Sequence, residues 1–177
     1  MANVFKTGKM MSDVVDSALT NGKGTVAIMD GAIVALGDLA EDSAYSNQLE
    51  YDVYKMAAPS APTDEIALVD YAGIQEGTIA GNQYKVGIKL YNLTVPAGTI
   101  TRIRRPYLHD KFWLGESNFD TKPTVGKYAT AAASAFTHKA VDSLPESGYA
   151  VKILAEEDLT VGMRSEGKIY LVEVVKL

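Results

Sequence analysis

The sequence contains no cysteine, only two histidines and one tryptophan. Without cysteine the chain can form no disulfide, no thiolate nucleophile and no cysteine metal site. No apolar run reaches the 18 residues of a membrane-spanning helix, and the first residues lack the continuous apolar segment of a secretory signal. Basic residues are also outnumbered, 17 against 22 acidic ones, and the net charge of −5 argues against nucleic-acid binding. We therefore expect neither a membrane nor a nucleic-acid partner.

What is present indicates a globular domain built mainly from β-strands. The chain has 177 residues, of which 47% are hydrophobic and 22% charged, as is usual for one folded domain. Short runs in which apolar and polar residues alternate, the period of a half-buried strand, are separated by Gly, Pro or Asn. Eight to ten strands of this kind predict a small β-barrel or β-sandwich. The clearest runs are residues 51–56, 65–70, 84–90, 100–105, 149–154 and 168–176.

Two hairpins are predicted from turn residues. Asp30-Gly31 separates the runs TVAIM and AIVAL, and an Asp-Gly pair favours a type I′ turn between paired strands. Because both faces of these runs are apolar, we expect the hairpin to be buried on both sides or to lie at an interface. A second, longer hairpin is predicted to turn at Pro96-Ala97-Gly98, pairing residues 84–90 with residues 100–105. The acidic residues 156–167 are expected to form a loop between the last two strands.

The N-terminus is predicted to differ from the rest. Residues 1–9 show no clear period, so we expect an extended arm that either frays or becomes ordered on a partner, with Phe5 as its anchor. The apolar residues of 10–19 lie on one half of a helical wheel, which predicts a short helix that must pack against the chain's own sheet or another subunit. The predicted organisation is therefore an arm and helix over 1–23 and one β-rich domain over 24–177, with a possible sub-boundary near 115–125.

Few residues offer catalytic chemistry. His109 and Asp110 lie beside Arg104, Arg105 and Tyr107 and could form an acid–base pair, although a polar loop at the protein surface has the same composition. The chain has no G-x-S-x-G sequence, no metal-binding spacing and no phosphate-binding loop. We predict that the protein is not an enzyme and binds no metal or cofactor.

The residues that remain are those of a contact surface. Ten tyrosines and the arginines at 102, 104 and 105 belong to the residue types enriched in protein–protein interfaces. Tyrosines also suit a sugar-binding face, with Tyr107 and Trp113 as a platform, so a carbohydrate-binding adhesive module is an alternative.

Several segments together resemble one group of viral proteins. They are VFKTGKMMSDVV at 4–15, the Asp-Gly hairpin continuing into Leu36-Gly37-Asp38-Leu39, YDVYKMAAPSAPTDEIALVDY at 51–71, QYKVGIKLYNLTVPAGTITRIRRPYL at 83–108 and IYLVEVVK at 169–176. Their order is similar to that of the capsid decoration proteins of tailed bacteriophages, also called cement or head-stabilising proteins. The bases of phage head fibres are a neighbouring alternative.

The resemblance implies a non-enzymatic virion protein on the outer surface of the capsid, where it binds the major capsid protein and stabilises contacts between its subunits. It also implies a homo-oligomer, with a trimer favoured. The candidate capsid-contact residues are Val4, Phe5, Lys6, Met10, Met11, Arg102, Arg104 and Arg105.

Overall fold

The computed structural model describes residues 4–15, 18–40, 52–71, 76–79, 82–85, 93–161 and 164–177. These residues form fifteen strands, numbered in chain order, and two single turns of 3₁₀-helix at Met11–Asp13 and Glu116–Asn118. The strands are β1 Phe5–Lys9, β2 Leu19–Gly24, β3 Ile28–Met29, β4 Ile33–Leu39, β5 Val53–Ala57, β6 Ile66–Asp70, β7 Glu76–Ile79, β8 Asn82–Lys85, β9 Thr94–Val95, β10 Ile100–Arg104, β11 Lys111–Gly115, β12 Tyr128–Ala131, β13 His138–Val141, β14 Ala150–Val161 and β15 Arg164–Lys176.

The prediction of a mainly β protein is confirmed, and the strands form a closed barrel and a separate sheet. The barrel has five strands in the order β10-β2-β5-β4-β6, and the sheet has six in the order β1-β11-β15-β14-β12-β13. Pairing is antiparallel throughout the sheet, whereas the barrel contains one parallel pair, β2 with β5. Two small pairs, β3 with β9 and β7 with β8, complete the described strands.

The start of β4 and most of β6 are buried on both faces, because one face points into the barrel and the other packs against the sheet. Val34 and Val69 belong to the cluster inside the barrel. Their neighbours Ile33 and Leu68 belong to a second cluster, shared with Phe112 and other residues of the six-stranded sheet. The expectation that the Asp-Gly hairpin is buried on both sides is therefore confirmed for Ile33 and Val34, which are fully buried, but not for Val26 of the first run, which is 49% exposed.

The predicted arm and helix are not what the N-terminal region forms. Residues 5–9 are a paired strand, β1, and Phe5 packs against Phe112 with ring centroids 5.6 Å apart. The helix predicted over 10–19 is wrong, because Met11–Asp13 form a single 3₁₀ turn, Val14 and Val15 are not helical and Leu19 already begins β2. A two-turn helix has little stability of its own, and Leu19 instead belongs to a strand that pairs with β10 and β5 in the barrel. Val14, placed on the predicted apolar stripe, is exposed.

The Asp30-Gly31 turn exists, but the strands on either side of it do not pair with each other. The Ala32 N–H donates to the Met29 carbonyl (3.2 Å) across the turn. Only Gly31 of the two central residues has a positive φ, +74°, whereas a type I′ turn needs two. Consequently β3 pairs with β9, and β4 pairs with β5 and β6.

The longer predicted hairpin is also wrong in its pairing. Gly98 has a φ of +75° and the Thr99 N–H donates to Pro96, so the chain does turn there. However, β10 has β2 on one side and β6 on the other, which leaves no edge for residues 84–90. Residues 86–92 lie outside the described part of the chain.

The acidic residues predicted to be a loop are largely strand. β14 continues to Val161 and β15 begins at Arg164, so the last two strands form one long hairpin. The alanine-rich residues 129–135 begin as strand β12 and then turn.

Candidate interaction surface

Arg104 is an internal anchor. Its side chain is buried, and its Nε donates to Asp70 Oδ2 (2.6 Å) while its Nη1 donates to Ser12 Oγ (2.9 Å) and Asp13 Oδ1 (2.7 Å). These bonds fix the 3₁₀ turn of the N-terminal region to the barrel. Arg104 therefore lies inside the chain and is not on a surface that a partner could contact.

The other two arginines lie at the surface. Arg102 Nη2 reaches the same Asp70 Oδ2 (2.8 Å), and 43% of its side chain is exposed. Arg105 donates from Nε to Glu65 Oε1 (2.7 Å) and lies over the ring of Tyr54, 5.0 Å from its centroid. Exposed ion pairs of this kind stabilise the fold weakly and leave the charges accessible to another chain.

The remaining candidate residues divide between core and surface. Met10 is buried in the cluster between barrel and sheet, and Phe5 packs against that cluster. The Val4 carbonyl accepts from the Gly115 N–H (2.8 Å), which extends the pairing of β1 with β11. Lys6 and Met11 are exposed.

Exposed apolar side chains lie on two neighbouring segments at one end of the barrel. Met11 and Val14, 46% and 83% exposed, follow β1, and Tyr107 and Leu108, 37% and 52% exposed, follow β10. The buried Asp110 holds the segments together, since its Oδ1 accepts from the Met11 N–H (2.8 Å) and its Oδ2 from the Tyr107 N–H (2.9 Å). We call Met11, Val14, Tyr107 and Leu108 the end surface.

A groove lies beside the end surface. It has a volume of about 560 Å³ and runs between Pro62, Ile66, Pro106, Tyr107, Gly148 and Leu177. The two loops that form its sides approach closely, because a Cβ at Gly148 would lie 2.6 Å from the Pro62 carbonyl oxygen. An apolar groove next to exposed apolar residues enlarges the area that a partner could cover.

Neither histidine forms an acid–base pair with Asp110. His109 is exposed, with its Nδ1 3.1 Å from Glu173 Oε1, while the Asp110 carboxylate is bonded to the backbone. His138 is buried, and its Nδ1 donates to the Asn118 carbonyl (3.2 Å), so its Nε2 accepts the Tyr149 O–H (3.2 Å). Burial lowers the pKa of His138 to about 4, which keeps the ring neutral near pH 7.

The predicted sugar platform is spread over two elements. Trp113 lies in β11, half-buried and opposite Lys6 of β1 and Leu171 of β15, whereas Tyr107 lies in the loop before that strand. The carbohydrate alternative and the fibre-base alternative both stay predictions.

Within the part of the chain that the structure describes, no three His, Asp or Glu residues are grouped so that they could hold a metal ion. The helical segments among these residues are all too short to cross a membrane. No protein-family model, no curated protein and no solved structure matches this chain.

Three residues of the end surface, Val14, Tyr107 and Leu108, were absent from the candidate capsid-contact set, and Tyr107 was named only for other roles. A signal for Leu108 was present, since a leucine inside the polar loop RPYLHD has no strand or helix period to bury it. Val14 was assigned to the buried stripe of a helix that does not form.

Proposed function

We propose that this protein is a non-enzymatic structural protein that binds the outside of a tailed-phage capsid and stabilises contacts between subunits of the major capsid protein. The order of segments in the sequence supports this proposal through its resemblance to decoration proteins. The observation that carries it is the end surface, four exposed apolar side chains on two segments fixed to each other by Asp110. Exposed apolar residues grouped in this way are typical of protein contact sites.

The proposed mechanism is clamping by a rigid body. Interfaces of standard size bury about 1,600 Å² in total, and a few apolar and aromatic side chains near the centre contribute most of the binding energy. In this proposal Tyr107 and Leu108 have that central role, and Arg105, two residues before Tyr107, adds charge at the rim. Binding at many equivalent positions on a shell would multiply the stabilisation.

The end surface can be tested with single substitutions. Leu108→Asp and Val14→Asp each place a charge among the exposed apolar groups, and we expect binding to expanded capsids to weaken by about tenfold or more. Val125→Asp is the matched control, because Val125 is 48% exposed but lies in the loop before β12. Bound protein is measured by co-sedimentation with the capsids.

The outcome that would reject the proposal is equal occupancy by all three variants and the unsubstituted protein. Deleting residues 1–9 is a poorer test, since it removes strand β1 and the packing of Phe5 on Phe112 together with any contact surface.

Location and oligomeric state belong to the same proposal. We propose that the protein lies on the outer surface of the virion and forms a homo-oligomer, with a trimer favoured. Light scattering on the purified chain measures the oligomer, and a glycan array tests the carbohydrate alternative, for which this proposal expects no binding.

A further inference from the structure

The six-stranded sheet ends at β1 on one side and at β13 on the other, and in addition the far part of β14 has one side that no described strand covers. β1 pairs with β11 on one side only. β14 pairs with β12 only through Ala150–Lys152, whereas its pairing with β15 continues to Val161. The far part of β14, residues 157–161, therefore has β15 on one side and no described strand on the other.

This far part belongs to a ribbon that extends beyond the sheet. β11 follows β15 only as far as Ile169, so residues 157–161 and 164–168 pair with each other and with no other described strand. Five residues of strand span about 16 Å. A two-stranded ribbon alone is at best marginally stable in water, so a ribbon of this length gains stability from a partner.

The two open edges carry opposite charge. Lys6 and Lys9 of β1 are exposed, and neither forms an ion pair with the described residues. β14 carries three successive acidic residues, Glu156, Glu157 and Asp158. Glu156 and Asp158 form ion pairs with Lys168. Glu157 is exposed and forms no ion pair with the described residues. An acidic edge and a basic edge thus lie on opposite sides of one sheet.

We infer that β1 of a second copy of this chain adds to residues 157–161 of β14, so that the sheet continues from one subunit into the next. Open strand edges are templates for pairing. Antiparallel pairing of residues 5–9 with residues 157–161 places Lys9 opposite Glu157. Pairing β1 with β1 would bring two basic edges together, and pairing β14 with β14 two acidic edges, so of the pairings between these two edges the head-to-tail arrangement is the one that brings opposite charges together.

The backbone of β1 is open to such an addition beyond Phe5, whose own N–H is already bonded within the chain. In an antiparallel pair, alternate residues direct their N–H and C=O groups to the same neighbour. The Val4 carbonyl faces β11, and the Phe5 N–H faces away and donates to Asp30 Oδ2 (3.0 Å). Thr7 therefore also directs its N–H away from β11, towards the open edge.

Head-to-tail contacts of this kind are heterologous, and they form a ring when the rotation between subunits closes. This inference rests on the homo-oligomer of the proposed function and names the strand edges that associate; it does not depend on capsid binding, since association is a property of the purified chain.

Charge reversal with rescue tests the pairing. The first variant is Lys6→Glu with Lys9→Glu, and the second is Glu157→Lys. Measured by sedimentation velocity up to about 100 μM, each variant alone is expected to associate about five- to tenfold more weakly than the unsubstituted chain. Mixing the two variants, or combining all three substitutions in one chain, is expected to restore association because opposite charges meet again.

The backbone is tested by Thr7→Pro. Proline removes the N–H that faces the open edge and leaves the pairing of β1 with β11 in place, so the variant is expected to remain folded, by near-ultraviolet circular dichroism, and to be monomeric. Lys139→Glu is the matched control, because Lys139 is an exposed lysine of β13, the other edge strand of the sheet, and association should be unchanged.

The inference is overturned if the unsubstituted chain is monomeric over this range. It is equally overturned if the charge-reversed variants associate as strongly as the unsubstituted chain, if their mixture fails to recover association, or if Lys139→Glu weakens it as much as they do.

Discussion

Two arginines that share one carboxylate oxygen are expected to contribute very differently to stability. Arg104 and Arg102 both reach Asp70 Oδ2, at 2.6 and 2.8 Å, but only Arg104 is buried and also bonds Ser12 and Asp13. We expect Arg104→Ala to lower the free energy of unfolding by about 3–5 kcal/mol, because it removes the buried charged donor to Asp70 and leaves the buried Ser12 hydroxyl without this donor. Arg102→Ala should cost about 1 kcal/mol or less. Urea denaturation measures both, and equal losses would contradict this assignment.

Asp30 is a buried carboxyl group that joins three segments of the chain. It accepts from the Phe5 N–H (3.0 Å) and the Tyr71 N–H (2.9 Å), and its own carbonyl accepts from Asn118 Nδ2 (2.8 Å). Burial raises the pKa of Asp30 to about 7, although the two backbone N–H groups act in the opposite direction; the negative charge of Asp70 raises it further.

A raised carboxyl pKa gives stability a definite dependence on pH. Since the folded state keeps a proton that the unfolded state has already lost, the contribution of Asp30 is largest below about pH 4 and declines as the pH rises towards 7. We expect the difference in unfolding free energy between the unsubstituted chain and Asp30→Asn to decrease over this window and to be level above pH 8. Urea denaturation at a series of pH values measures this difference in unfolding free energy. Subtracting one protein's value from the other's removes the contribution of the other carboxyl groups, because these groups titrate in both proteins. A constant difference would show that Asp30 is charged in the folded protein at all of these pH values.

Among the elements, β1 depends on the close approach of its backbone to β11. A Cβ at Gly8 would lie 2.6 Å from the Lys111 carbonyl oxygen, whereas a Cβ at Gly37 of β4 would have its nearest neighbour at an ordinary 3.6 Å. We expect Gly8→Ala to destabilise the protein by about 1–3 kcal/mol, and Gly37→Ala to change stability by about 0.5 kcal/mol or less. The unfolding temperatures of the two variants measure this difference. If Gly8→Ala unfolds at the same temperature as the unsubstituted chain, β1 can move away from β11 without loss of stability.

The strands that could be predicted from the sequence are those with one or two apolar faces. Residues 65–70, 149–154 and 168–176 carry such faces and are found in β6, β14 and β15. β2 could not be predicted in this way, because its sequence LTNGKG has no apolar alternation. Its place in the barrel depends on Gly22, where a Cβ would lie 2.5 Å from the sulfur of Met56 on the neighbouring strand. That contact joins residues far apart in the chain and leaves no local signal.

The same reasoning explains the acidic residues that were expected to form a loop. A ribbon without a buried face has no hydrophobic period, so its charged residues have the composition of a loop. Lys168, 2.9 Å from Asp158 and 3.3 Å from Glu156, instead joins the two strands through their side chains.

At the scale of the whole molecule, the candidate surface was harder to predict than the fold class. Arginines at 102, 104 and 105 are equivalent by residue type, and only the barrel decides that Arg104 points inward while its neighbours reach the surface. Likewise Met10 is buried and Met11 exposed: Met10 directly follows β1, and the 3₁₀ turn begins at Met11. Tertiary packing, which the local sequence does not encode, therefore selects the accessible residues.

Barrel and sheet are joined by one buried cluster, and this predicts that they unfold together. Leu68 of the barrel packs in that cluster with Phe112 and Tyr170 of the sheet. Trp113, the only tryptophan, lies in the sheet and reports its unfolding by fluorescence, while circular dichroism reports the strands of both parts. We expect Leu68→Ala to lower the free energy of unfolding by about 2–5 kcal/mol and to shift both signals to the same lower denaturant concentration.

Val34→Ala creates space inside the barrel and away from the sheet. It should also shift both signals together, but by a smaller amount because its side chain is smaller. If the fluorescence transition of Trp113 keeps its denaturant midpoint while the circular dichroism transition moves, the sheet folds independently of the barrel. The shared cluster would then contribute little to the stability of either part.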